Sequence, residues 1–155
     1  MLFRDAGLVF YGQSLTTQPA RAEKDPNLCA AFVQGAMEAI KFTMTNFDEA
    51  VAIFLKANSE VAISSTGKDY ARIGLGLTNL MNAVPEVKDH GFGFADPAKV
   101  AAMTEAVVKY AAGDKAAVPD ASALFTNRFA GAVRMSAAEL AAAEASVAPF
   151  RKYLV

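Results

Sequence analysis

A chain of 155 residues, 54% of them apolar, is long enough for one domain with its own core, and its net charge of −1 argues against an electrostatic grip on nucleic acid. One cysteine, Cys29, excludes an internal disulfide and a cysteine-based metal site. No window approaches the apolar length of a membrane span, and Met1–Asp5 lacks the long apolar core of an export signal.

The chain opens with Leu8–Tyr11, a short apolar run that stops at Gly12 and gives way to small polar groups. This pattern predicts a buried strand over Gly7–Tyr11 and a loop through Thr17. A lone strand cannot satisfy its own backbone, so the chain is expected to pack against further structure. The high apolar fraction points the same way. Pro19 opens a short helix through Glu23, and Asp25-Pro26 offers an N-cap and a proline at the first helical position of the next. There Leu28, Ala31, Phe32, Ala36, Ala39, Ile40 and Thr43 follow a 3.6-residue period. Asn46–Glu49 caps another helix that turns Val51, Phe54 and Leu55 inward and stops at Asn58.

Ser64–Gly67 is a polar loop. Tyr70, Ile73, Leu77, Leu80, Met81 and Val84 then recur at helical spacing. Gly74 and Gly76 weaken this helix by roughly 1 kcal/mol each relative to alanine unless close packing needs them. Pro85 is expected to end it, and Lys88–Ala95 reads as a glycine-rich connector. Asp96-Pro97 opens a helix burying Val100, Met103, Val107 and Tyr110 and stopping at Gly113. Residues 116–132 are irregular. Ser136 with Glu139 forms a capping-box pattern for the last helix, which Pro149 disrupts or ends.

The chemistry-bearing residues are few. His90 is the only histidine and, beside Asp89, has no second histidine or spaced carboxylate set to complete a metal site, so it reads as a loop histidine. Cys29 lies between Leu28 and Ala30 on a helix and reads as a small buried thiol. Ser14, Ser64 and Ser65 lack a nucleophile elbow. Gly74-Leu75-Gly76 and Gly67-Lys68 lack the remainder of a dinucleotide or phosphate loop. The opening stretch is different. Tyr11 offers an aromatic face, Gln13 an amide, Ser14 a hydroxyl, and Gly12 a close backbone approach. Such a set holds a flat or polar small molecule by stacking and hydrogen bonds, or else is a strand end with a routine turn.

The order of the pieces adds a family reading. Asp5-x-Gly7-Leu8-x-x-Tyr11-Gly12-Gln13-Ser14-Leu15, then Pro26-x-Leu28-x-x-x-Phe32 and Asp48-Glu49-Ala50-Val51, resembles the later half of solute-binding proteins of ABC importers. The likeness is to the group that binds thiamine-type pyrimidines, riboflavin, nitrate, sulfonates and taurine. His90-Gly91-Phe92-Gly93-Phe94-x-Asp96-Pro97 and Leu124-Phe125-Thr126-Asn127-x-Phe129 resemble later motifs of that group. The match runs from Asp5 to Phe129.

The resemblance implies an α/β parent like the periplasmic binding proteins, with two lobes and a hinge, of which this chain is a mostly α-helical part with one N-terminal strand. Residues 1–17 would be the hinge strand and cleft loop, 18–129 a mainly helical lobe segment, and 130–155 the C-terminal helix. It implies a small-molecule solute at Tyr11, Gly12, Gln13 and Ser14, with Tyr11 favouring a pyrimidine- or flavin-like ring. It also implies ABC importer membrane subunits as partners, no cofactor, and a periplasmic or extracytoplasmic location with the export signal on sequence upstream. Surface left bare by a lost lobe should drive self-association. Two alternatives stand beside it: a pyrimidine-precursor synthase on the same scaffold, against which the missing cysteine-rich motif tells, and a stand-alone helical interaction domain.

Overall fold

Proline and short polar caps punctuate this chain into helices at almost every junction. The computed structural model describes residues 10–112 and 116–154. The elements are α1 (Pro19–Lys24), α2 (Pro26–Thr45), α3 (Phe47–Ala57), α4 (Ser59–Ala62), α5 (Ser65–Asn82), α6 (Pro85–His90), α7 (Pro97–Val107) and α8 (Ala137–Val147). A π-helical turn, Val108–Ala112, continues α7, and 3-10 segments form at Ala121–Ala123 and Ala148–Tyr153. Proline occupies the start of α1, α2, α6 and α7, where its missing N–H costs nothing.

The α/β expectation is corrected: among the described residues there is no strand and no sheet. Gly7, Leu8 and Val9 of the expected strand lie outside the described residues. Phe10 and Tyr11 are irregular, with Phe10 exposed. An apolar run this short does not determine its own conformation. It becomes a strand only where a neighbouring strand takes its backbone groups. Other boundaries move for local reasons. Ser64 accepts the Gly67 N–H at 2.9 Å, so α5 starts three residues before Lys68. The same helix ends at Asn82, and Pro85 opens α6 instead of terminating α5. The expected stop at Gly113 lies outside the described residues.

α5 is the central element, packing against α2, α3, α8 and the terminal 3-10 segment. The main core joins Met44 of α2, Val87 of α6, Phe92, Val133, Met135, and Leu140 and Ala143 of α8, with Met37 and Ile40 packed against them. Asn79 is fully buried in α5. Its amide donates to the Thr43 carbonyl and its Oδ1 accepts from Thr43 Oγ1, both at 2.8 Å, tying α5 to α2. Lys41 bridges α2 to α8 through Glu139 at 3.0 Å and to the Arg134 carbonyl at 2.8 Å. The Ser136–Glu139 capping box that starts α8 is present in both directions.

A second correction concerns which faces turn inward. α2 uses Met37, Ile40 and Met44 for the core, while Leu28 (57% exposed) and Phe32 (65%) face outward with Ala31 and Ala39. Phe54, Tyr70, Met81, Val107 and Tyr110 are likewise exposed. The accessible surface is 10484 Å². A compact monomer of this size exposes about 7,500 Å². The excess is larger than the roughly 800 Å² that each partner contributes to a standard protein–protein interface.

Candidate functional site

Three segments far apart in sequence meet beside the start of α7. The first is the irregular N-terminal loop from residue 10 to Gln18. The second is the connector Gly91–Asp96, and the third runs from Leu124 to Phe129. The connector leaves α6 through Gly91, whose φ of +83° suits glycine. A Cβ there would fall 2.8 Å from the Val133 carbonyl oxygen and 2.9 Å from Gly131 Cα, so close backbone approach also requires glycine. The approach makes a clasp: Phe92 N–H donates to Val133 at 2.9 Å, and Gly131 N–H donates to the Phe92 carbonyl at 3.0 Å. Phe92 is thereby driven into the core. His90, at the last turn of α6, stacks on Phe94 with ring centroids 4.0 Å apart.

Asn127 reaches the connector from the third segment. Its Oδ1 accepts the Ala95 N–H and its Nδ2 donates to the Ala95 carbonyl, both at 2.9 Å. The neighbouring Arg128 donates to Glu23 Oε1 at 2.9 Å and also to the Ala22 carbonyl, which fastens α1 to this segment. Asp96 is the N-cap of α7, its carboxylate accepting the Ala98 N–H at 2.8 Å. The Asp96 N–H in turn donates to the phenol oxygen of Tyr11 at 2.8 Å. Lys99, one turn into α7, holds its ammonium 5.9 Å from the Tyr11 ring centroid and pairs with Glu86 of α6. The hydrogen bond between them lowers the Glu86 pKa and raises that of Lys99, which favours the charged form of both.

Tyr11 is therefore half-buried and tethered by its hydroxyl, while Gly12, Gln13 and Ser14 continue from it exposed. Among the described residues nothing hydrogen-bonds the Gln13 and Ser14 side chains. Gly12 has no positive φ, and open space surrounds its Cβ position. The four expected site residues are thus one edge of the cluster, with the polar groups of Gln13 and Ser14 left to solvent. Elsewhere, an open groove of about 490 Å³ runs between α5 and the terminal 3-10 segment, lined by Asp69, Arg72, Ile73, Pro149, Phe150 and Tyr153, none of them expected from the sequence as a site residue. Among the described residues no three histidine, cysteine or acidic side chains gather as a metal site, and no helix is long and apolar enough to cross a membrane.

No family model, curated protein or solved structure matches this chain. Asp96, Lys99 and Asn127 were not singled out as site residues from the sequence. The motif order carried a signal for two of them, since both Asp96 and Asn127 fall inside the later stretches that carry the family resemblance.

Proposed function

We propose that this chain is a binding component, not an enzyme: the solute-binding part of an ABC importer that holds a small molecule at the Tyr11–Ser14 loop. The carrying observation is the convergence of the segments that bear the resemblance. The opening stretch, the connector ending in Asp96-Pro97 and the stretch containing Asn127 are joined by three hydrogen bonds, although 85 residues separate Tyr11 from Asp96 and 32 separate Ala95 from Asn127. Tyr11 supplies a ring tethered through its hydroxyl, and Gln13 and Ser14 supply polar side chains that no described residue hydrogen-bonds. That combination recognises a flat heterocycle with hydrogen-bonding edges, such as an aminopyrimidine or a flavin. In this reading a further polypeptide surface forms the other wall, the filled site is presented to importer membrane subunits, and the location is extracytoplasmic. Calorimetric titration of the full-length gene product with a hydroxymethyl-aminopyrimidine, riboflavin, taurine and nitrate tests it. Saturable heat with one of them supports the reading, and dilution heat alone with all four refutes it.

The excess accessible surface and the outward Leu28–Phe32 face of α2 favour a second reading, a helical interaction domain whose function is association itself. Its mark is stable assembly that no solute in the panel alters.

A further inference from the structure

Asn127 has both ends of its carboxamide committed to a single residue, Ala95. It accepts from that residue's N–H and donates to its carbonyl, which together mimic one rung of a sheet ladder. The carbonyl it holds belongs to the same peptide unit as the Asp96 N–H, because the amide plane joins Ala95 C=O to Asp96 N. Fixing that carbonyl fixes the direction of the Asp96 N–H, and that N–H is the donor to Tyr11 Oη. We propose that Asn127 is the positioning residue of the Tyr11 loop, setting the tyrosine ring through one rigid peptide.

The remainder of the cluster supports this division of labour. Lys99 approaches the face of Tyr11 and pairs with Glu86, so it supplies charge at the ring without holding the Ala95–Asp96 peptide. The Asp96 carboxylate is occupied with the Ala98 N–H, so it caps α7 and leaves the backbone N–H free for the phenol. Arg128, next to Asn127, binds Glu23 and Ala22 and brings the N-terminal helix to the same segment. The N-terminal loop is thus held at two points, its tyrosine through Asn127 and its following helix through Arg128. The purpose assigned to Tyr11 rests on the solute-binding reading. The coupling does not.

Amide hydrogen exchange on the full chain, read by nuclear magnetic resonance without solute, tests it. Asn127→Asp keeps the size and the acceptor but loses the donor to the Ala95 carbonyl. In that variant the Asp96 amide is expected to exchange about tenfold faster, the equivalent of one lost hydrogen bond, and the Tyr11 ring signals to move toward those of free tyrosine. The Leu140 and Val147 amides of α8 report whether the core persists. Tyr11→Phe approaches from the other side and keeps the fold: Asp96 exchange rises comparably while the Ala95 amide stays protected. Lys99→Ala leaves Asp96 exchange unchanged. Asp96 exchange within about twofold of wild type in Asn127→Asp with the core intact, or in Tyr11→Phe, overturns the proposal. With the coupling intact, failure of all solutes to bind counts against the solute reading alone.

Discussion

Gly74 and Gly76 lie two residues apart in α5, and alanine at the two positions should have opposite effects. At Gly74 an added methyl meets nothing within 4 Å. Only the intrinsic preference acts there, and Gly74→Ala should stabilise the chain by about 1 kcal/mol. At Gly76 the same methyl would stand 2.4 Å from Cδ2 and 2.5 Å from Cγ of Phe150, well inside contact distance. Those atoms are at the root of the ring, so the whole side chain must swing away. Its tilted pairing with Phe47, at 5.4 Å between centroids, is then lost. The intrinsic gain of about 1 kcal/mol opposes an overpacking cost of about 1–3 and a pair loss of about 0.5–1.5 kcal/mol. Gly76→Ala should therefore destabilise by roughly 1–3 kcal/mol. The two variants should differ by roughly 5–15 °C in melting temperature. Urea and thermal unfolding followed by far-UV circular dichroism measure both. If Gly76→Ala is as stable as the parent, the packing of the C-terminal segment on α5 is wrong; if Gly74→Ala is less stable than the parent, the open face at Gly74 is wrong.

The remaining predictions concern a cap, a turn and a surface. Glu139 is held at a pKa of about 2, first by the Ser136 N–H and then by Lys41. Because the folded value lies below the ordinary 4.5, its contribution is complete above about pH 4.5 and fades as pH falls through about 2. Glu139→Gln should remove that acid limb, and Ser136→Ala should raise the carboxyl's pKa while costing about 1 kcal/mol of stability, both read by carboxyl titration and denaturation. Gly91→Ala combines a positive φ with a Cβ against the Val133 carbonyl, and should cost at least about 2 kcal/mol and abolish the protection of the Phe92 amide. Sedimentation should show concentration-dependent association that Phe32→Ser weakens, and a monomer at all concentrations would contradict the role given to the exposed α2 face.

The helices with local signals were legible in the sequence. Pro26, Asp96-Pro97 and the Ser136–Glu139 box each act within one turn, so their meaning survives any tertiary arrangement. The inward faces were less so. α2 carries apolar residues on two sides, and alanines blur the boundary between them. Period alone therefore does not tell whether Leu28 and Phe32, or Met37 and Met44, meet the core. Pro85 is compatible with ending one helix or starting the next, and only the length of the Ala83–Val84 break decides. The expected strand had no visible partner in the sequence, and among the described residues none forms. Of the candidate site, Tyr11 was visible as a side chain, but its restraint was not. The Asp96 N–H that holds it is a backbone group, and the Asn127 carboxamide lies 116 residues beyond Tyr11. No local pattern encodes that meeting.

The proposed binding at the Tyr11 loop is tested most directly by calorimetry on the full-length gene product, comparing the parent with Tyr11→Ala against a hydroxymethyl-aminopyrimidine and riboflavin. A saturable heat in the parent that disappears or weakens at least about tenfold in the variant is the expected result. Equal affinity in both proteins would remove Tyr11 from the site and contradict the account.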